Sequence, residues 1–532
     1  MTASTIAGAL VDALAVFGVK RMFGIPGGGS SLDIIEAGAQ RGLDFVLART
    51  ETSATFMAAA SAEITGVPGV VLTGLGPGAA AAANGVAYAH LDRAPVVILT
   101  DCFDAERDAY VSHQAVDHAA LFGPIAKGSM RLKAGDGAAD IVALLERAVA
   151  HPQGPVHFDL SSRQAAAPAK GAAARRTQDA APIDADALAA AKRLLAGAKR
   201  PAVIVGVQAR EESDAVRRFV DAINPAVLAT YKAKGIVPES GPHTVGLTTG
   251  GALEAPTLSQ ADLIVLIGFD PIELIPQPWR YKAPIIEIGR VAELPHYKTP
   301  DVSLIGLLAP ALDALREQKC DSQWKPDEIK TLKTKMRDAL RVESTNGLSP
   351  SALVETAARK APRGARATVD AGAHMFSAMG FWQADEPSGV LISNGLSTMA
   401  YALPSAIGSS LVEPNRPVVC FTGDGGLLMC VSELATAVEH RSKIVVVVFN
   451  DGALSLIDIK QQKRQMPTRG VRYGAIDFAT IAQGFGCRSW RAANAAELDR
   501  ALDEAFAGDG PALVDVQVDP GAYPRQIEAM RG

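Results

Sequence analysis

Short apolar runs, each closed by a glycine-rich or polar turn, recur along the chain. In the first third they predict strands at 21–25, 45–47, 70–72, 95–100 and 156–160. Between these runs the apolar residues follow helical spacing, beginning with an amphipathic helix over 2–19. Strands that alternate with helices and end in glycine turns predict a mostly parallel sheet.

The same alternation returns twice further along the chain. A second set of strands is predicted at 202–205, 226–230, 263–267, 285–288 and 302–305, and a third at 367–369, 417–421, 443–449 and 513–518. The stretches 163–185 and 319–349 are expected to be linkers, the second partly a solvated helix, and 519–532 a short tail or a lid. We therefore predict an α/β protein with three doubly wound parallel-sheet domains, at 1–165, 185–320 and 345–532.

The composition is that of a globular protein and does not indicate a particular function. The 532 residues are 48% apolar and 20% charged, and the net charge of −5 gives no argument for binding nucleic acid or an anionic membrane. The five cysteines form no CxxC pair, which fits free thiols in a reducing compartment. We see neither a secretory signal nor an apolar run of about 20 residues, so we expect a cytoplasmic protein.

Two turns in the third domain indicate a binding site for a metal ion and phosphate. The strand at 417–421 ends in Gly423-Asp424-Gly425-Gly426, a helix is predicted over 427–441, and the next strand ends in Asn450-Asp451-Gly452. Adjacent parallel strands place both turns at one carboxyl edge, where α/β sheets bind ligands. Carboxylate and amide oxygens suit Mg²⁺, and bare backbone suits phosphate. Either turn alone would be read as an ordinary turn.

The pair resembles the GDG…N signature of thiamine-diphosphate enzymes. Four more stretches, at 23–28 (FGIPGG), 49–54 (RTETSA), 73–78 (TGLGPG) and 395–404 (GLSTMAYALP), resemble motifs of the acetolactate synthase and benzoylformate decarboxylase group. All five follow the order found in that group. The resemblance implies pyrimidine-binding, central and diphosphate-binding domains, in that order.

The resemblance also implies how the cofactor is held. Thiamine diphosphate would bind through Mg²⁺, whose ligands would be Asp424, the Asn450 side chain and the Gly452 carbonyl. The remaining residues expected to contact the cofactor are Pro26, Gly27, Gly372, His374, Ser397, Met399, Gly423, Gly425, Gly426 and Leu427. Among them, the Ser397 carbonyl would accept a bond from the aminopyrimidine and Met399 would force the cofactor into its bent shape. For His374 a capping or packing role is the alternative.

Glu51 is the predicted catalytic carboxyl group. The chemistry belongs to the cofactor, and the protein must drive a tautomer shift of the aminopyrimidine through a carboxylic acid bonded to its ring nitrogen. A dry site, where desolvation raises the pKa of the acid, serves this best. The alternative is a first-turn helix residue favoured by the helix dipole.

The substrate side departs from the relatives that we know best. His113 and Gln114 lie where acetolactate synthases have a substrate-side glutamine, so we expect an acid/base or carboxylate-orienting role, with a surface loop as the alternative. Phe449 replaces the first of two asparagines, and Thr50 replaces a histidine beside Glu51. The basic run 460–464 is expected to be a solvated helix face.

These residues predict a thiamine-diphosphate-dependent lyase or carboligase acting on 2-oxo acids or 2-hydroxy ketones, similar to acetolactate synthase. Alternatives are a non-oxidative decarboxylase of the benzoylformate type, a 2-hydroxyacyl-CoA lyase similar to oxalyl-CoA decarboxylase, and a cofactor-binding paralogue without catalysis. The family arrangement implies a homodimer as the minimum unit and favours a homotetramer. FAD is allowed by analogy, but no nucleotide fingerprint in the central domain supports it.

Overall fold

The computed structural model describes residues 5–108, 110–174, 183–274, 278–292, 298–344, 347–474 and 476–531. It contains three six-stranded sheets, and the strand pairs in each are parallel. The predicted α/β class with doubly wound parallel sheets is therefore confirmed. Among the described residues, no helix has the length and hydropathy needed to cross a bilayer.

The first sheet has the strand order β2-β1-β3-β4-β6-β5. Its strands are β1 Arg21–Gly24, β2 Asp44–Leu47, β3 Gly69–Thr73, β4 Val96–Asp101, β5 Ser129–Arg131 and β6 Val156–Leu160. Its helices are α1 Ile6–Val16, α2 Ser30–Ala39, α3 Glu51–Thr65, α4 Gly76–Leu91, α5 Ala105–Asp108, α6 His118–Phe122, α7 Ala138–Val149 and α8 Ser162–Ala165. The central strands β3 and β4 are buried along their whole length, as expected for a sheet covered on both faces.

The central sheet has the order β12-β11-β10-β7-β8-β9. Its strands are β7 Pro201–Val205, β8 Ala226–Ala229, β9 Thr244–Leu247, β10 Leu263–Ile267, β11 Ile285–Gly289 and β12 Val302–Ile305. Its helices are α9 Ala185–Gly197, α10 Ser213–Ile223, α11 Ala255–Leu258, α12 Leu308–Arg316 and α13 Pro326–Leu340. Counted from its own first strand, this is the strand order of dinucleotide-binding sheets, with a switch point between β7 and β10.

The third sheet has the order β14-β13-β15-β16-β18-β17, which repeats the order of the first. Its strands are β13 Arg366–Val369, β14 Val390–Ile392, β15 Val418–Gly423, β16 Ile444–Asn450, β17 Arg488–Ala492 and β18 Ala512–Gln517. The helices of this part of the chain are α14 Pro350–Lys360, α15 Met375–Phe381, α16 Ala402–Val412, α17 Asp424–Leu428, α18 Glu433–Glu439, α19 Ser455–Lys463, α20 Phe478–Gly484, α21 Ala495–Ala507 and α22 Tyr523–Arg531.

The chain forms two compact units, and both are discontinuous in sequence. The first contains the described residues of 1–178 together with 395–414 and 430–442, so α16 and α18 pack with the first sheet. Within it, α16 lies against α3, and the buried Tyr401 and Tyr88 hydroxyls are 2.9 Å apart. The second unit contains the central and third sheets.

One helix prediction was wrong. The segment 427–441 does not form one helix but splits into α17 and α18, with a turn between them. The break allows the Glu433 carboxylate to turn away and accept the backbone N–H groups of Arg49 and Thr50, at 3.0 and 3.1 Å.

Two segments that were predicted as a linker and as a tail or lid contain more regular structure than expected. Helix α13 is not merely solvated, because its Ile329, Leu332 and Met336 are buried in the core of the second unit. The C-terminal residues form α22 rather than a loose tail, and the Ala252 N–H donates to the Met530 carbonyl at 2.9 Å. Of the first predicted linker, 175–182 lie outside the described residues.

Candidate active site

The two predicted turns of the third sheet meet at one carboxyl edge. Strands β15 and β16 are neighbours, and Gly423 is in register with Phe449. Asp424, only 3% exposed, accepts the backbone N–H groups of Asp451 and Gly452 at Oδ2, at 3.1 and 2.7 Å. The acidic turn and the amide turn therefore form a single hydrogen-bonded structure.

The amide of Asn450 is oriented by a residue that the sequence did not indicate. Its Nδ2 donates to Asp515 Oδ1 at 2.9 Å and to the Ile476 carbonyl at 3.0 Å. Because Nδ2 makes both of these bonds, Oδ1 is the atom left for another partner. Asp515 accepts the Phe478 N–H at its other oxygen, at 3.2 Å, which fixes the carboxylate in turn.

Tyr473 completes the surroundings of Asp424. Its hydroxyl donates to Asp424 Oδ1 at 2.6 Å, and its N–H donates to the Gly452 carbonyl at 3.0 Å. Burial, reinforced by the Asp424 charge, raises the pKa of the neighbouring Asp451 to about 7. Carboxylate, amide and carbonyl oxygens at one edge are the hard ligands that Mg²⁺ takes, so the donor set fits this cation.

The turn after β15 has room for nothing larger than glycine. A Cβ on Gly426 would lie 2.2 Å from Asp370 Oδ2, whose carboxylate accepts the Thr422 hydroxyl at 2.9 Å. The Gly425 N–H bonds to Asp424 Oδ1 at 2.7 Å, and Leu427 is buried. Bare backbone is thus held close to the acidic edge by a buried carboxylate.

His374 is packed beside this turn. Burial lowers its pKa to about 3, so the ring is neutral and one nitrogen can donate. Its Nε2 is buried and has no hydrogen-bond partner among the described residues. The ring lies 5.1 Å from that of Phe449, and a Cβ on Gly372 or Gly423 would lie 2.8 or 3.1 Å from the imidazole. A donor left without a partner beside a glycine turn fits a phosphate ligand.

The first unit holds the predicted catalytic carboxyl group. Glu51 is the first residue of α3, and the cap Thr50 accepts the Ser53 N–H at 3.1 Å. This capping role explains why threonine suits the position. Burial raises the pKa of Glu51, although its own backbone N–H opposes the shift. A Cβ on Gly78 would lie 3.2 Å from Glu51 Oε1, so the start of α4 borders the carboxyl group.

The turn after β1 is organised by a buried aspartate. Asp101 accepts the N–H groups of Gly29 and Ser31 at 3.2 and 2.7 Å. A Cβ on Gly27 would lie 2.2 Å from Asp101 Oδ2, which explains the glycine after Pro26.

Ser397 and Met399 lie on a loop rather than in a helix. Asp92 holds its start by accepting the N–H groups of Gly395 and Leu396 at 3.1 and 3.2 Å. Ser397 has a φ of 56°, an unusual value for a non-glycine residue, and such strain concentrates at functional sites. Met399 is half-buried.

The substrate-side pair lies in an exposed turn of the first unit. His113 and Gln114 are both exposed, and Gln114 has a φ of 58°. Gln114 borders a cavity of about 480 Å³ at the carboxyl edge of the first sheet, and His113 does not line it. The basic run behaves as expected, since Lys460, Lys463 and Arg464 are exposed.

The predicted residues divide between the two units. The first unit contains Pro26, Gly27, Glu51, His113, Gln114, Ser397 and Met399, and the second contains Gly372, His374, Gly423, Asp424, Gly425, Gly426, Leu427, Asn450 and Gly452. Sequence reasoning missed the supporting acids Asp92, Asp101, Asp370, Glu433 and Asp515, and Tyr473. Only Asp370 carried a signal, because it immediately precedes the Ala371-Gly372 turn.

At the switch point of the central sheet, one backbone donor is already occupied. The backbone N–H of Val207, in the turn after β7, donates to Glu273 Oε2 at 2.9 Å. A dinucleotide diphosphate would need donors in this turn. Here a buried carboxylate takes that donor, so the residues present give no support for FAD at this point.

The chain matches known proteins over nearly its whole length. Residues 4–121, 188–315 and 370–516 match the N-terminal TPP binding, central and C-terminal TPP binding domains of thiamine pyrophosphate enzymes. The chain is 31% identical to the acetolactate synthase of Bacillus subtilis, over 96% of this chain and 92% of that protein.

Two other relatives are named as an acetolactate synthase and as a decarboxylase. A catabolic acetolactate synthase of Raoultella terrigena is 31% identical over 96% of this chain and 94% of its own. A probable 2-ketoarginine decarboxylase of Pseudomonas aeruginosa is 28% identical over 96% of this chain and 93% of its own. The comparisons thus place this chain among transferases and lyases rather than non-catalytic paralogues, and it belongs to the thiamine-pyrophosphate-dependent enzymes of the acetolactate synthase group.

Proposed function

We propose that this enzyme is a carboligase or lyase that acts on 2-oxo acids or 2-hydroxy ketones, as an acetolactate synthase does. The observation that carries the proposal is Glu51, a half-buried carboxyl group with a raised pKa at the start of α3. The second support is the set of oxygen ligands at the Asp424 edge. The names of two relatives that are 31% identical to this chain agree with it.

Bound thiamine diphosphate would supply the nucleophilic carbon for addition to a carbonyl group. Asp424, the Asn450 side chain and the Gly452 carbonyl would hold Mg²⁺, while the Gly425-Gly426 backbone and His374 would contact the diphosphate. Glu51 would hold a proton on its carboxyl group for the aminopyrimidine ring nitrogen. Because burial raises the pKa of Glu51 and favours the protonated acid, this carboxyl group is suited to hold that proton.

The Glu51→Gln substitution tests this role. We expect turnover to fall by at least a hundredfold, because the amide cannot exchange the proton, while thiamine diphosphate binding changes less than threefold. Turnover is followed as CO₂ release from pyruvate, and cofactor affinity by fluorescence quenching. Glu36→Gln, at an exposed position of α2, is the matched control and should behave as the wild type. Full turnover in Glu51→Gln contradicts the assignment.

A non-oxidative decarboxylase is the second candidate. The relative named as a probable 2-ketoarginine decarboxylase favours it. Leu456 argues against a pyruvate decarboxylase, since those enzymes carry a glutamate near that position. Product analysis separates the candidates: a carboligase converts two 2-oxo acids into one 2-hydroxy-3-oxo acid and one CO₂, whereas a decarboxylase releases one aldehyde for each CO₂. A screen that includes hydroxyacyl-CoA thioesters tests the acyl-CoA lyase.

A homodimer is proposed as the minimum functional unit, and a homotetramer as the assembled form. The support is the family resemblance, in which two chains supply one site. Light scattering of the purified protein gives the mass directly, and an active monomer would contradict the proposal.

A further inference from the structure

A chain of hydrogen bonds crosses the first sheet near its carboxyl edge. It begins at Ser129 on β5, whose hydroxyl lies 2.7 Å from His157 Nδ1. The other nitrogen of His157 lies 2.7 Å from the Thr100 hydroxyl, which donates to Asp159. His118 Nδ1, at the start of α6, lies 2.7 Å from Asp159 Oδ1. No predicted cofactor or metal residue takes part in this chain.

The end of the chain is an imidazole nitrogen without a partner. Burial raises the pKa of Asp159, but the hydrogen bonds from His118, His157 and Thr100 outweigh it and hold that pKa below its usual range. Asp159 is therefore an ionised acceptor, and His118 Nδ1 carries the proton between them. The His118 side chain is only 4% exposed, and its Nε2 has no hydrogen-bond partner among the described residues. Such a group is costly unless a ligand completes it.

His118 forms part of the wall of the cavity of about 480 Å³ that Gln114 borders. Ser129 and Arg131 line the same cavity and add a hydroxyl and a guanidinium. The acids on the wall are already engaged: Asp117 Oδ1 accepts the Ala120 N–H at 3.0 Å, and Asp159 accepts from His118. The wall therefore offers a carboxylate hydrogen-bond donors and one guanidinium, beside acids whose oxygens already accept bonds.

The cavity borders the part of the first unit that carries Glu51. A Cβ on Gly76, the first residue of α4, would lie 2.4 Å from the Gln114 carbonyl, and one on Gly78 would lie 3.2 Å from Glu51 Oε1. The first turn of α4 thus separates the cavity loop from the catalytic carboxyl group.

We propose that this cavity binds the carboxylate of a small 2-oxo acid, with the imidazolium form of His118 donating from Nε2 and with Asp159, which accepts from Nδ1, as its positioning residue. The identity of the acid as a substrate rests on the proposed function, but binding of the carboxylate does not.

A metal ion is the competing occupant. Ligand atoms of His118, His157 and Asp159 lie within 4.8 Å of one another, and two histidines with a carboxylate can hold a transition metal. In the structure these atoms are already bonded to each other or to Thr100 and Ser129. A metal would have to replace those bonds, so the carboxylate is the better-supported ligand.

Calorimetry with oxamate tests the proposal on the full-length protein. Oxamate carries the carboxylate of a 2-oxo acid but an amide in place of the reactive ketone, and oxamide is its uncharged counterpart. We expect His118→Asn to weaken oxamate binding at least tenfold, because the asparagine Nδ2 can keep the bond to Asp159 but nothing replaces Nε2. His118→Gln, which places an amide near Nε2, should recover part of the affinity, and the distant His440→Asn should bind as the wild type.

Three results would overturn the proposal: unchanged oxamate affinity in both His118 variants, equal binding of oxamide or inorganic phosphate, or one equivalent of zinc in the wild type that His118→Asn lacks. For turnover of pyruvate, His118→Asn should raise KM at least tenfold while kcat stays within about threefold. Oxamate binding without any turnover by the wild type would refute the proposed function and leave the carboxylate site standing.

Discussion

At the residue scale, close atomic contacts limit which side chains fit in the turn after β15. Gly426→Ala would place a methyl group against the Asp370 carboxylate, which is itself fixed by Thr422. We expect a loss of about 1–3 kcal/mol in the free energy of unfolding and at least a tenfold loss of thiamine diphosphate affinity. Thermal melts and cofactor titration measure the two effects. Gly484→Ala is the control, because nothing lies within 4 Å of a Cβ built there; equal behaviour of both variants would contradict the contact.

The orientation of Asn450 offers a test of the cation site. In Asp515→Asn the new oxygen must accept the Phe478 N–H, so the new NH₂ group would face Asn450 Nδ2. Two donors cannot bond, so Asn450 would flip and turn its NH₂ group toward the cation. We expect about a 10–100-fold loss of Mg²⁺ affinity, as found for residues that orient metal ligands.

Magnesium titration of cofactor-binding fluorescence measures this loss. Asp503→Asn, on the exposed side of α21, is the matched control and should leave the titration unchanged. Unaltered Mg²⁺ affinity in Asp515→Asn would show that the amide oxygen of Asn450 is not a ligand.

The part of the candidate site that could be predicted consists of residues that lie close together in the sequence. Asp424 and Asn450 are joined by one β-α-β unit, so their meeting follows from the topology of parallel strands. Tyr473 and Asp515 reach the same atoms from 49 and 65 residues away, through contacts that no local pattern encodes. His113 stays an untested prediction, and the histidine that lines the cavity is the buried His118 at the start of α6.

At the scale of elements, the start of α3 depends on a helix from a distant part of the chain. The buried Glu433 of α18 accepts the N–H groups of Arg49 and Thr50, directly before Glu51. Glu433→Ala would leave these donors without their partner, so we expect a loss of about 1–3 kcal/mol in stability and a several-fold fall in kcat. Glu433→Gln retains an acceptor oxygen and should lie close to the wild type. A kcat that falls equally in both variants would point to the charge rather than to helix positioning.

Elements with strong apolar patterns were predicted, and weak ones at sheet edges were missed. The four strands absent from the prediction, β5, β9, β14 and β17, each lie at an edge of a sheet. Two of them lack an apolar pattern: β5 reads SMR and β17 reads RSWRA, with little of either buried. The other two are largely buried but short, with three residues in β14 and four in β9. A strand that is buried on both faces carries a continuous apolar run, and that run is what allows the strand to be predicted from the sequence.

At the scale of the molecule, one buried acid ties stability to pH. Burial raises the pKa of Glu273 to about 7 from an ordinary 4.5. The folded state therefore holds a proton that the unfolded state releases between pH 4.5 and pH 7. This contribution to stability is complete below pH 4.5 and is lost as pH rises through 7, a change of about 3 kcal/mol.

Glu273→Gln removes this titration but keeps an oxygen for the Val207 N–H. We expect the thermal midpoints of variant and wild type to be close at pH 5, and the variant to be the more stable at pH 8. Melting curves across this range check the sign. Parallel profiles for the two proteins would place the proton elsewhere.

The discontinuity of the two units has a consequence for synthesis on the ribosome. The first sheet emerges early, but α16 and α18, which pack with it, emerge only after the whole central sheet. The Ala252 N–H, which follows β9, likewise gains its Met530 acceptor only when α22 has been made. Neither unit can complete its core until these later segments have emerged, so the nascent protein exposes apolar helix faces during synthesis. A stalled or prematurely terminated chain would thus expose apolar surface instead of a completed domain. Quality-control factors would recognise that surface.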